Sequence, residues 1–248
     1  MPRFFIRADQ IISDDGKEYI VIRGDDAHHI SSVLRMRQGE ALTVCDMQKN
    51  VYECLITHFS DGEVYACIVS RGVSDTEPVC YITLYQALPK SDKLETIIQK
   101  SVECGVSEIV PFMSERCIAK IDKKDAAKKA ERHNKIALSA AKQCGRGIIP
   151  KVSEIMKYSD AISRAAESDL TIFCYEGDNT SSLKEILREA KDVKTVSLII
   201  GAEGGFSLNE VAMAEEKGAR IAGLGKRILR CETAPLFALA CIAYETEL

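Results

Sequence analysis

The stretch GLGKRILRCETAPL at residues 223–236 sets two glycines, three basic side chains and a glutamate directly ahead of an apolar C-terminal run. Core packing requires no such order. Glycine opens backbone conformations that other residues resist and lets a chain approach a ligand closely. Ile228 and Leu229 sit between cations, so such a loop can line a pocket while its arginines face a polyanion or form a solvated rim. Glu232 can stabilise the start of the last helix through the helix dipole, whatever else it does.

Two more glycine loops follow apolar runs: CYEGDN at 174–179 and GAEGGFS at 201–207. No G-x-x-x-x-G-K-[ST] occurs, and GAEGGF is not G-x-G-x-x-G. Its glutamate would also repel a diphosphate. Acidic, glycine-bearing loops suit a ligand without phosphates, one that carries positive charge; each glycine taken alone is equally well explained as a turn. The elbow, zincin and paired-carboxylate patterns of hydrolytic enzymes do not stand out.

The chain has ten cysteines and four histidines. No C-x-x-C pair occurs and most cysteines lie in apolar stretches, which predicts reduced thiols, no metal site and a cytoplasmic setting. His28 and His29 are adjacent and cannot share a helix face, which argues against a metal site there; lying away from the three glycine loops, they suit packing or a surface contact better than catalysis. No apolar run reaches the roughly 20 residues a membrane span needs, and the charged start MPRFFIRADQ reads against a signal peptide. Net charge is −4, yet residues 116–151 hold eleven Lys or Arg against three acids. A local excess of that kind attracts a polyanion; a solvated lysine-rich helix is the other reading.

These residues need elements to hold them. Over residues 1–70 apolar segments recur at RFFIR, YIVI, ALTVCD, VYECLITHF and VYACIV, divided by polar or glycine-containing turns. One helix-like piece, DDAHHISSVLRM, interrupts them, and the pattern predicts a small barrel or rolled sheet. The polar stretch SRGVSDTEPV marks a boundary, giving domains at 1–72 and 78–248. Beyond it, apolar strands alternate with helices, which predicts a parallel sheet covered on both faces. Helices begin at capping boxes Ser182–Glu185 and Ser207–Glu210, a long helix covers 123–144, and the last starts near Pro235. Ligands bind such sheets beyond the carboxyl ends of the strands, where the three glycine loops fall.

The motifs HHISSVLRMRQGE at 28–40, QALPKSDKLETIIQKSVECGV at 86–106, SERC at 114–117, AAKQCGRGIIP at 140–150, IIGAEGGFSLNE at 199–210 and LGKRILRCETAPL at 224–236 occur in order along the chain. With RFF at 3–5, they closely resemble the ribosomal RNA small subunit methyltransferase E family of the SPOUT superfamily. That resemblance implies a PUA-like RNA-binding β-barrel followed by an α/β domain with a parallel sheet and a C-terminal trefoil knot. It further implies a homodimer, S-adenosyl-L-methionine as methyl donor, and methylation of N3 of a specific uridine in 16S rRNA, within the 30S subunit. The family's usual GPEGG appears here with Ala202, and Cys144 and Cys231 stand where serine and threonine are more usual.

By the resemblance, the donor lies among Cys174, Tyr175, Glu176, Ile200, Gly201, Glu203, Gly204, Leu224, Gly225, Ile228 and Leu229. Arg230 is the candidate cation for charge developing on the uracil, and Glu232 the candidate for orientation or proton acceptance. RNA would be gathered by Arg3, Arg7, Arg35 and Arg37 on the small domain and by Lys90, Arg116, Arg132 and Arg146 on the large one. The competing expectations are an enzyme using another small cofactor and a noncatalytic RNA-binding or ribosome assembly protein.

Overall fold

The computed structural model describes residues 1–14, 16–118, 123–178 and 180–248. The chain forms two compact units, Met1–Glu77 with Ala141–Ile149 and Pro78–Ala140 with Pro150–Leu248.

In the first unit six strands form one sheet: β1 (Arg3–Phe5), β2 (Ile11–Asp14), β3 (Lys17–Ile22), β4 (Ala41–Cys45), β5 (Asn50–Ser60) and β6 (Glu63–Val73). Their order is β1-β4-β5-β6-β3-β2, with β1 and β4 parallel and the other ladders antiparallel. Alternation along β5 sends Tyr52, Cys54 and Ile56 inward, where they meet Phe4, Ile20, Ile22, Leu42, Val44, Val64 and Ala66 in one core. Ile11 of the other edge strand packs on the same core. Among the described residues no ladder joins β1 to β2, and what the two edge strands share is this core, through Phe4 and Ile11.

The expected single helix near residue 30 is divided. Helix α1 (Gly24–His28) passes into a π turn at His29–Val33, where Leu34 N–H donates to His29 O. Ser31 Oγ returns to the Ala27 carbonyl at 2.9 Å, a side-chain bond of the kind that competes with regular helix.

Residues 141–149, assigned to the second domain by the sequence pattern, pack instead with the first unit. The physical reason is Arg146. Its guanidinium meets Glu77 at 2.7 Å with both side chains under a tenth exposed, and Glu77 also accepts from the N–H groups of Gly147 and Ile148.

The second unit carries β7 (Tyr81–Ala87), α2 (Lys93–Glu103), β8 (Glu108–Met113), most of α3 (Lys123–Cys144), β9 (Lys151–Val152), β10 (Met156–Lys157) and α4 (Tyr158–Ala165). Then come β11 (Leu170–Cys174), β12 (Ser181–Ser182), α5 (Leu183–Glu189), β13 (Thr195–Ile200), α6 (Leu208–Glu216), β14 (Arg220–Gly223) and α7 (Ala234–Thr246). All ladders are parallel, in the order β10-β8-β7-β13-β11-β14-β12, with β9 on β8. Every residue of β11 is buried, as is all but one of β8 and of β13. That is why these segments read as unbroken apolar runs. Helices α4 and α6 contribute to one core cluster with Tyr85, Val110, Phe112 and Phe173, while α2 and α5 each pack on α7.

Both expected capping boxes form. Ser182 and Glu185 exchange bonds of 3.1 and 3.2 Å, and Ser207 and Glu210 exchange bonds of 2.9 and 3.3 Å. Each serine cap contributes about 1 kcal/mol. Glu210 also accepts from Glu115 N–H at 2.8 Å, so the start of α6 is tied to the turn after β8.

Candidate functional site

Strands β11, β13 and β14 are neighbours in the second unit's sheet, so their carboxyl ends release three loops side by side. Between those loops lies a cavity of about 640 Å³, within the range of small-molecule sites. Its wall includes Cys174, Tyr175, Glu176, Ile200, Gly201, Glu203, Leu224, Gly225, Ile228 and Leu229, all expected donor contacts, and also Arg230.

Local chemistry explains why the chain turns where it does. A side chain at Gly201 would place its first carbon 3.1 Å from the Phe206 ring, so any larger residue would push against the ring that the loop folds back onto. Phe206 is buried against Phe173, 4.3 Å between ring centroids, and stacks on Phe112. It anchors the loop's far end. Gly225 holds φ at +101° with open space around it, a conformation that other residues adopt only under strain. Tyr175 N–H donates to Ala222 O at 3.0 Å, linking the loop after β11 to β14.

Gly204 is a correction. It does not line the cavity; its carbonyl accepts from Arg116 at 3.1 Å and its α-carbon faces the Arg116 side chain. Glu232 is also set back from the lining residues. Its carboxylate is 3.1 Å from Lys93 Nζ, and the same nitrogen reaches Glu203 at 3.0 Å. Lys93 lines the cavity and was not singled out from sequence; the only signal was its place in the LPKSDKLE segment beside Lys90.

Electrostatics follow from this cluster. Burial raises the pKa of Glu232, but bonds from its own backbone N–H, the Cys231 thiol and Lys93 outweigh that and hold it below the ordinary value. Glu203 is lowered in the same way, against burial, by its own N–H, by Lys93 and by the Lys90 N–H. Lys93 is raised, first by its bonds to the two carboxylates. The Cys231 thiol is pushed up to about 12 by burial and then by Glu232.

The expected RNA contacts divide by environment. Arg7, Arg35, Arg37, Lys90, Arg116 and Arg132 are exposed, although Arg132 pairs with Glu95 at 2.8 Å and Arg7 with Asp9 at 3.7 Å. Arg3 is half-buried, donating to Cys45 Sγ and to the Arg146 carbonyl. Arg146 is 3% exposed and clamped by Glu77, so it ties chain segments together and is withdrawn as an RNA contact. Of the basic run, Lys120 lies outside the described residues, as do the side chains of Lys123 and Lys124. Among the described residues no group of three or more His, Cys, Asp or Glu could hold a metal, and no helix is long and apolar enough to cross a membrane.

Residues 75–243 match the RNA methyltransferase domain family, and residues 22–69 match the RNA methyltransferase PUA domain family. Fold and cavity therefore define an RNA methyltransferase of the SPOUT type with a PUA-like N-terminal unit. Ribosomal RNA small subunit methyltransferase E of Bacillus subtilis (strain 168) is 33% identical over 252 residues, covering 100% of this chain and 98% of its own length. The enzyme of the same name from Mesomycoplasma hyopneumoniae (strain 232) is 31% identical, covering 98% and 99%. A crystal structure of that enzyme from Neisseria gonorrhoeae, bound to S-adenosyl methionine, is 30% identical with a TM-score of 0.85, covering 98% of this chain and 97% of the other. The chain belongs to the ribosomal RNA small subunit methyltransferase E family.

Proposed function

We propose that this protein transfers a methyl group from S-adenosyl-L-methionine to N3 of a specific uridine in 16S rRNA, acting as a homodimer on the 30S subunit. The observation that carries the reading is the cavity at the ends of β11, β13 and β14, walled by glycine-bearing loops with Glu176 and Glu203. The donor has a sulfonium cation and no phosphate, and the chemistry of this wall fits it. Cys174, Tyr175, Glu176, Ile200, Gly201, Glu203, Leu224 and Gly225 would hold it, with Ile228 and Leu229 covering it. Once bound, the donor supplies an electrophilic methyl group.

The remaining work falls to side chains. Uridine N3 is a weak acid and must lose its proton for nitrogen to attack. Arg230 is exposed at the cavity wall, placed to stabilise negative charge developing on the uracil oxygens. Glu232 is held ionised by Lys93 and Cys231, and a carboxylate of lowered pKa accepts a proton weakly. Its role is therefore orientation, and the N3 proton passes to solvent. Alignment of nitrogen and methyl carbon can supply several kcal/mol, up to about 7–11 in ideal cases.

The first unit would bind RNA, with Arg3, Arg7, Arg35 and Arg37 on phosphates, aided by Lys90, Arg116 and Arg132 from the second. The uridine must leave its stack to reach the donor. We place a trefoil knot in the segment from β13 to α7 and the protein in the cytoplasm on family grounds. The test is incubation of 30S particles lacking the modification with labelled donor, followed by mapping of the methylated base. Label on uridine N3 supports the reading; tight RNA binding without transfer would favour an assembly factor.

A further inference from the structure

We infer that Lys93 is a positioning residue for the donor cavity, its single ammonium clasping the carboxylates of two different cavity loops. The inference rests on the donor reading above. Glu203 comes from the loop after β13 and Glu232 from the segment before α7, and Lys93 Nζ lies 3.0 and 3.1 Å from them. No other side chain links those two loops among the ion pairs of the described residues. The start of α2 adds a second hold, since Lys90 N–H donates to both oxygens of Glu203 at 3.2 and 3.3 Å.

Helix formation does not account for this lysine. It is the first residue of α2, where the helix dipole disfavours a cation. The offsetting interaction comes from the two acids. Ordinary exposed ion pairs contribute little, but here one charge that lines the cavity serves two carboxylates, each about a quarter exposed.

Without the ammonium, Glu203 and Glu232 would keep their neutral donors, the Lys90 N–H and the Cys231 thiol, but share one site with no cation between them. Two carboxylates in one site cannot both ionise freely, and one pKa rises. Protonating that one permits a carboxyl–carboxylate hydrogen bond, which would rejoin the loops. Among the described residues, the other charged or titratable groups around the clasp are Cys231 and Arg230 beside Glu232, Glu176 beside Gly205, Arg116 on the Gly204 carbonyl, and Asp92 and Lys90 before α2. Cys231, at about 12, remains a neutral thiol throughout the range tested.

The experiment is calorimetric titration with S-adenosylhomocysteine from pH 5.5 to 8.5, using wild type, Lys93→Met, Lys93→Arg and the double variant Lys93→Met/Glu232→Gln. Lys93→Met is expected to bind roughly ten-fold more weakly than wild type at pH 8, the size of a lost charged hydrogen bond, and to recover as pH falls. Lys93→Arg should track wild type at every pH. The double variant, with one acid neutralised, should lose the added pH dependence and bind better than Lys93→Met at pH 8. If Lys93→Met fails to fold, the double variant and Lys93→Arg decide the matter by the same curves. A uniform loss at all pH values that Arg does not rescue, or no loss at all, overturns the positioning role. Wild type that binds no S-adenosylhomocysteine overturns the donor reading, and this inference with it.

Discussion

Gln86 Nε2 donates to the Gly201 carbonyl at 3.3 Å, joining the end of β7 to the first residue of a glycine loop 115 positions later. The same nitrogen donates to Ala87 O at 3.0 Å. Strand β7 pairs β13 up to Gln86 and Ile200, so the two strands and the amide together set where the loop begins. The cavity wall is thus built from the middle of the sheet outward.

Replacing Gln86 by Leu removes that bond from a fully buried position. It also removes Oε1, which has no hydrogen-bond partner among the described residues. The gain and the loss oppose each other in stability, so the melting temperature should move by less than ~4 °C, the shift about 1 kcal/mol gives in a chain this size. Donor affinity should fall about five-fold, one ordinary hydrogen bond. Calorimetry and a thermal melt of the same sample check both numbers.

Arg230→Ala tests the cation. If the guanidinium acts on charge that develops only in the transition state, the methyl-transfer rate should drop about 10²–10³-fold. Donor affinity should change little. Single-turnover transfer to 30S particles, read beside calorimetric affinity, separates the two, and an equal loss in both would assign Arg230 to donor binding.

The Glu77–Arg146 pair makes a stability prediction for the first unit. Burial raises the Glu77 pKa, but the Arg146 guanidinium and the N–H groups of Gly147 and Ile148 lower it further than that. A lowered carboxylate contributes stability that is complete above its unfolded value, about 4.3, and is lost as pH falls through the lower folded value. Glu77→Gln removes the carboxylate from a buried ion pair and should cost about 3–5 kcal/mol at pH 7. Denaturant titrations from pH 7 to pH 3 should show the gap between wild type and variant constant to about pH 5 and shrinking below it.

RNA affinity should depend on salt. With several exposed arginines on phosphates, log K should fall linearly with log salt at a slope of roughly −0.7 to −0.9 per contact. Arg35→Ala should flatten that slope by about one contact, whereas Lys93→Met should leave it unchanged. Filter binding over a salt series decides, and salt-independent affinity would sink the phosphate assignments.

Much of the second unit was legible because its cues are local. Buried parallel strands have no polar face, so β8, β11 and β13 stand out as apolar runs, and Ser182–Glu185 and Ser207–Glu210 announce their helices within four residues. The three loops could be placed at strand ends for the same reason. Contacts across the chain could not be read. Lys93 meets partners 110 and 139 positions away, and no periodicity encodes that. Arg146 looks like any cation in a basic run until Glu77 is seen beside it, and Gly204 looks like its neighbours until Arg116 covers it. Strand β2 escaped because Ile11 and Ile12 alone are too short a run, and its identity comes from pairing with β3.

The central claim is that the loops after β11, β13 and β14 form the methyl donor's seat. The most direct measurement is a crystal structure of the protein grown with S-adenosylhomocysteine. The account predicts one ligand per chain, touching 174–177, 200–203 and 224–229, with Lys93 still bridging Glu203 and Glu232. Ligand bound elsewhere, or a well-ordered cavity that stays empty at saturating ligand, would contradict it.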